Sequence, residues 1–136
     1  LVTGVQTCAL PICRTDVLPS FDGGQEAVAG YFAQRQHHTI QSIRSKVHAE
    51  MTVVFNVEMD GSVTGARVVR VTNVKGTSRH FLKMDAAKQK RVLDRCMDFY
   101  KEQAVRLTNS MPKWKPAEQK GRPVQSRASL TIVFQA

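Results

Sequence analysis

Hydrophobic and polar residues alternate most regularly in residues 51–71. Every second residue from Met51 to Met59 is apolar, which is the period of a strand with one buried face. Asp60 and Gly61 follow, a pair favoured in tight type I′ turns because both central residues need positive φ. Residues 63–71 are then predicted to form the return strand of a hairpin, followed by a loop.

Three other segments have apolar residues three and four positions apart, the spacing of an amphipathic helix. The first spans residues 25–36 and the longest spans residues 84–108. Between them, Ile40, Ile43 and Val47 predict a second, short helix. The longest segment has one continuous apolar stripe, formed by Leu93, Cys96, Met97, Tyr100, Ala104 and Leu107.

Strand-like alternation returns at the end of the chain. The predicted buried side carries Val124, Ala128, Leu130, Ile132 and Phe134. Before it, residues 111–124 contain three prolines and a glycine, which predict an irregular connection, and residues 73–78 predict a loop. Because no residues follow the last strand to cover it, we expect it to lie at an open sheet edge that is available to an incoming peptide.

The order of these elements predicts an α+β fold. We expect two or three helices to pack on one face of a small three-stranded antiparallel sheet. The length of 136 residues suits one domain, and 42% hydrophobic with 23% charged residues is ordinary globular usage. The chain has no run of 18 apolar residues and is too short for a TIM barrel.

Charge is distributed unevenly along the chain, which has a net charge of +9. Residues 14–61 carry six acidic and four basic side chains, whereas residues 62–136 carry five acidic and 16 basic ones. The basic half suits nucleic acid, an anionic envelope surface or an acidic partner peptide, and charge alone does not choose among them.

Residues 2–12 read VTGVQTCALPI, which resembles the frame translation of a sequencing-adapter oligonucleotide. We therefore expect residues 1–13 to be an assembly artefact and residues 14–136 to be the domain, in a reading frame truncated at its start. The alternative is a natural N-terminal tail. Without Cys8 and Cys13, only Cys96 remains, and its place on an apolar helix face predicts a small buried hydrophobe.

Four short motifs, in this order and spacing, resemble the C-terminal domain of the TonB family in its Bacteroidetes-type version. They are PSFDGG from residue 19, FNVEMDGSV from residue 55, MPKWKP from residue 111 and GRPV from residue 121. The motif positions expected to be structural are Pro19, Phe21, Gly23, Gly24, Asp60, Gly61, Pro112, Trp114, Pro116, Gly121 and Pro123. The resemblance covers about residues 18–135, although residues 76–97 are longer than the usual connection of the family.

The resemblance implies a periplasmic domain of an energy transducer that is anchored in the inner membrane. Such a transducer couples to the ExbB–ExbD motor only through an N-terminal helix, which we expect to be missing from this fragment. Its C-terminal domain grips the TonB box of an outer-membrane receptor, and the box adds as a strand beside the last strand of the domain. The expected partner-binding residues are Arg122, Val124, Gln125, Arg127, Ser129, Thr131 and Val133.

Two further expectations concern this edge. Arg122 and Arg127 are hypothesised to pair with acidic residues near the receptor box. Exposed terminal strands also make a strand-exchanged homodimer plausible.

Two other function classes remain open. The same domain is also expected as a binding module at the tail of a BlaR-type sensor metallopeptidase. A small basic nucleic-acid binder is disfavoured, because the aromatic strand residues Phe55 and Phe134 belong to the predicted buried face and not to an exposed one. We expect no nucleic-acid partner.

We expect no catalysis, cofactor or metal. The four histidines, His37, His38, His48 and His80, lack an HExxH motif or a cysteine partner. Gly23 and Gly24 predict a bend before the first helix, because no strand precedes them and no Lys-Ser/Thr pair follows. Trp114 is expected to pack the proline-rich connection against the sheet.

Overall fold

The computed structural model describes residues 2–9 and 16–136. The elements in this part of the chain are, in order, β1 (Val2–Ala9), α1 (Gly24–Arg35), α2 (Ile40–Ser45), β2 (Val47–Val57), β3 (Val63–Gly76), α3 (Arg79–Leu82), α4 (Ala86–Asn109), β4 (Ala117–Gln119), β5 (Arg122–Val124) and β6 (Ser126–Gln135). The fold is α+β, as predicted. None of the described helices combines the length and the apolar character needed to cross a membrane.

The main sheet is antiparallel, with strand order β1-β6-β2-β3. Alternate residues of β2, from Val47 to Val57, are buried under the helices, and so are alternate residues of β6, from Ser126 to Phe134. Tyr100 of α4 stacks on Phe134, with ring centroids 4.5 Å apart. One face of the sheet therefore holds the core, and the opposite face is open.

The hairpin between β2 and β3 forms as predicted, but its turn is of another type. Of the turn residues, Gly61 has positive φ (88°) and Asp60 does not. The Gly61 N–H donates to the Glu58 carbonyl (2.9 Å) and the Glu58 N–H donates to the Ser62 carbonyl (2.8 Å). This is a three-residue loop closed by a left-handed glycine. Met59 lies in the loop and is 64% exposed, so its predicted burial was wrong.

The type I′ geometry occurs elsewhere, at Lys120 and Gly121, whose φ angles are 52° and 75°. These two residues join β4 to β5 in a small two-stranded sheet. The connection of residues 111–124 is therefore only partly irregular, and Val124 belongs to this hairpin rather than to β6.

Strand β3 is longer than predicted. It continues to Gly76, so the loop predicted at residues 73–78 was wrong over most of its length. Asn73 adopts φ of 52° next to a register shift between β2 and β3, and its side chain donates to Glu50. Asparagine, a residue type typical of turns, thus forms a bulge within β3 and does not end the strand.

The short helix α2 exists, but not for the reason that predicted it. Ile40 is 75% exposed and Ile43 is 55% exposed. The helix instead buries Ser42 and Ser45, and Thr39 caps it by accepting the Ser42 N–H at 3.0 Å. Val47, the third residue of the proposed apolar stripe, begins β2. Capping by Thr39 therefore explains this helix better than an apolar stripe does.

The long helix was predicted closely and forms as α4. Asp85 caps it by accepting the Lys88 N–H at 2.8 Å, and the separate short helix α3 precedes it. The predicted stripe faces the core, although Leu93 is only partly buried. The pattern did not reveal Gln103, which is 2% exposed. Its side chain accepts the His37 N–H and donates to the His37 carbonyl, both at 2.7 Å.

Replacing Gln103 by alanine is expected to lower the free energy of unfolding by about 2 kcal/mol, because two main-chain groups of His37 lose their partner. Urea denaturation of the variant measures the loss. Glu102→Ala, at the exposed neighbouring position, is the matched control and should change stability by less than about 0.5 kcal/mol. Equal losses in the two variants would contradict a bridging role for Gln103.

Candidate strand-accepting edge

The last strand, β6, was predicted to lie at an open sheet edge. On one side, the whole of β6 pairs with β2, from Gln135 opposite His48 to Ser126 opposite Val57. The other side of β6 is occupied by β1, so the prediction of an open edge was wrong for this chain. The physical reason is that an edge strand offers unpaired N–H and C=O groups, and residues 2–9 satisfy them.

The pairing of β1 with β6 defines which part of β6 accepts a strand. It runs antiparallel from Val2 opposite Ile132 to Ala9 opposite Ser126, with one irregularity between Thr3 and Gln6. Beyond it, the Val133 carbonyl already accepts a hydrogen bond of 3.0 Å from the Gln36 side chain. The strand-accepting stretch is therefore residues 126–132 of β6. Residues 1 and 10–13 of the proposed artefact lie outside the described residues.

The structure separates the seven residues predicted to bind a partner. Arg127, Ser129, Thr131 and Val133 lie on the open face of β6. Arg122 and Val124 belong to β5, in the other sheet. Gln125 lies between the two strands, and its side chain donates to the Glu58 carboxylate at 2.9 and 3.0 Å. Only the first four residues therefore belong to the strand-accepting strand.

Three of the four sequence motifs meet at Trp114, which is 4% exposed. Phe21 and Phe55 contact its ring edge to face, with centroids 5.5 and 5.4 Å away. Its backbone N–H donates to the Gly61 carbonyl at 2.8 Å. Trp114 is thus a packing residue, as predicted, and it joins the leading loop, β2 and the hairpin turn.

The leading loop is bound to the proline-rich connection by main-chain hydrogen bonds. Ser20 and Lys115 exchange two of them, at 3.0 and 2.7 Å, and Val17 pairs with Glu118 in the same way. Pro19 is buried beside this ladder, Pro116 is half-buried, and Pro112 and Pro123 are exposed. The motif prolines therefore differ in role, and only some of them pack.

The remaining motif residues shape turns. Gly23 and Gly24 have φ angles of 90° and 71° where the chain bends into α1, as predicted. Asp60 accepts hydrogen bonds from the Ser62 hydroxyl (2.6 Å) and the Ser62 N–H (2.9 Å), and this lowers the pKa of its carboxyl group. This contact stabilises the turn in which Asp60 lies.

Titratable groups elsewhere are largely structural. His38 Nδ1 lies 2.6 Å from the Tyr100 hydroxyl, and burial lowers the pKa of His38. Cys96 is 2% exposed, and burial raises the pKa of its thiol. It lies at a cavity of about 340 Å³ between α2 and α4, whose rim carries Lys88, Arg91 and Arg95. Within the described residues, no three side chains of His, Cys, Asp or Glu cluster as a metal site would require.

Comparison of the chain with protein-family models, with curated proteins and with solved structures gives no match. The geometry must therefore carry the functional argument. Sequence reasoning missed Gln36, which limits the strand-accepting stretch. No periodic signal marked it, because it is a polar residue at the end of the first predicted helix.

Proposed function

We propose that this domain binds an extended peptide by strand addition along residues 126–132 of β6. The single observation that carries the proposal is that β6 takes up an additional antiparallel strand, β1, on this side. Strand addition draws its affinity from main-chain hydrogen bonds and tolerates varied side chains. If residues 1–13 are adapter-derived, the added strand has a sequence unrelated to any partner, which favours an edge that accepts foreign backbone.

In biological terms, we propose the C-terminal domain of a TonB-type energy transducer. Its partner is the box peptide of an outer-membrane receptor, its location is the periplasm, and it acts without catalysis. Force from the ExbB–ExbD motor would reach it through an upstream membrane helix. The resemblance of the motifs around Trp114 supports this identification, and Arg127, exposed on β6, is the arginine best placed to meet an acidic residue of the peptide.

A second candidate uses the same edge in another parent, a BlaR-type sensor metallopeptidase. In this candidate the domain binds a peptide by the same strand addition. The two candidates differ only in the part of the protein that precedes the domain. The upstream reading frame distinguishes the two: one membrane anchor and a proline-rich linker support the transducer, and several membrane helices with HExxH support the sensor.

Freeing the edge of β6 is expected to strengthen peptide binding by about tenfold or more, because β1 competes as an intramolecular ligand at high effective concentration. Fluorescence anisotropy with a labelled box peptide measures the affinity. Two variants free the edge independently. One is a chain lacking residues 1–13, and the other is the full chain with Cys8→Pro, which removes a ladder N–H from β1 because Cys8 lies opposite Arg127, whose main-chain groups face β1.

The matched control is the same peptide with prolines at alternate positions, which should not bind because its ladder donors are missing. Strand addition is contradicted if the unmodified peptide binds neither variant. It is also contradicted if the proline-containing peptide binds as well as the unmodified one.

A further inference from the structure

The open face of the sheet, opposite the helices, contains a cavity of about 200 Å³. It lies where the ladder between β2 and β3 is irregular. Val54 is opposite Arg67 and Asn56 is opposite Thr64, so β3 has one more residue than β2 between these two pairs. Such a bulge bends the strand and changes where its side chains point.

Gly65 creates this bulge. Its φ is +64°, the left-handed region that glycine adopts without steric cost. A Cβ atom at this position would lie 2.9 Å from Asn56 Nδ2, so glycine also keeps the space above Asn56 open. The next residue, Ala66, donates its N–H to the Asn109 side chain at 3.1 Å, which anchors the bulge to the end of α4.

Three residues with hydrogen-bond-donating side chains line the cavity: Arg67, Arg127 and Asn56. Among residues 16–136, none of these three side chains has a hydrogen-bond or ion-pair partner. The neighbouring carboxylate, that of Glu58 immediately after β2, already accepts hydrogen bonds from the Thr64 hydroxyl (2.8 Å) and the Gln125 side chain (2.9 Å).

We propose that this cavity is an oxyanion-binding site, which takes a carboxylate or phosphate group between Arg67 and Arg127. Arginine presents planar, always charged donors that match both groups, and the Asn56 carboxamide adds a neutral donor. An anion also relieves the repulsion between two cations that lie on one sheet face. The volume suits a single such group rather than a whole drug-sized ligand. The proposal does not depend on strand addition at β6.

NMR titration of the ¹⁵N-labelled full chain tests the site, first with sodium phosphate and separately with sodium acetate, at an ionic strength kept constant with chloride. We expect saturable shifts at Asn56, Gly65, Arg67 and Arg127. Arg67→Gln and Arg127→Gln should each weaken binding about tenfold, since each removes a charge-assisted contact. Arg122→Gln is the matched control, because Arg122 is an exposed arginine outside the cavity, and it should leave binding unchanged.

Binding of either anion supports the proposal, and their relative affinities show which kind of ligand group the site prefers. Tighter binding of phosphate assigns the site to a phosphoryl group, and tighter or equal binding of acetate assigns it to a carboxylate. Shifts that rise linearly without saturation, that chloride alone reproduces, or that Arg122→Gln reduces as much as Arg67→Gln would overturn the site, because they indicate general attraction to a basic protein.

Discussion

Gly61→Ala is expected to lower the free energy of unfolding by about 3–5 kcal/mol, because two costs add at this position. The first is conformational: φ is +88°, where a residue with a Cβ atom is strained. The second is steric: the new Cβ atom would lie 2.1 Å from the Trp114 carbonyl oxygen. The turn must move to relieve the overlap, and the 2.8 Å hydrogen bond from the Trp114 N–H to the Gly61 carbonyl would then be lost.

Gly121→Ala separates these two costs. Gly121 has a comparable φ of +75°, but nothing lies within 4 Å of a Cβ atom placed there. This variant should therefore lose only the conformational part, about 1–2 kcal/mol. Urea denaturation of both variants measures the difference. If Gly61→Ala costs no more than Gly121→Ala, the close approach of the turn to Trp114 does not limit stability.

Gly61 also illustrates how far the sequence predicts this fold. Its place after Asp60 indicated a turn between two alternating strands, and that hairpin is confirmed. Local pattern assigns a glycine to a turn from its neighbours alone. It contains no information on the contact with Trp114, which is distant in the chain and forms only when the proline-rich connection folds back over β2. For the same reason, the pattern did not reveal Gln103 as the partner of His37.

The candidate site was predictable to a similar extent. Alternation located β6 and its buried face correctly, because burial on one side imposes a period of two along a strand. The partners of β6 on its outer side were not predictable. β1 comes from residues excluded as an artefact, and Gln36 is polar at a helix end, where no periodic signal exists. Arg67 and Arg127 line one cavity next to the bulge at Gly65, which shifts the register without disturbing the apolar pattern.

Trp114→Ala is the second change with a large expected effect, a loss of about 3–5 kcal/mol in the free energy of unfolding. Trp114 is almost fully buried, and its ring lies between Phe21 and Phe55. Removing it leaves a cavity between the leading loop, β2 and the hairpin turn. Hydrogen exchange should become faster at Ser20 and Lys115, whose main-chain ladder is held against the sheet by this ring.

Trp114→Phe is the informative companion variant, with an expected loss of only about 1–2 kcal/mol, since most of the aromatic contact remains. Within the described residues, the buried indole Nε1–H has no hydrogen-bond partner, so phenylalanine removes an unsatisfied donor along with part of the ring. Denaturation curves of the two variants then report packing alone. A loss for Trp114→Phe as large as that for Trp114→Ala would mean that the indole N–H forms an essential hydrogen bond, and the purely packing role of Trp114 would be wrong.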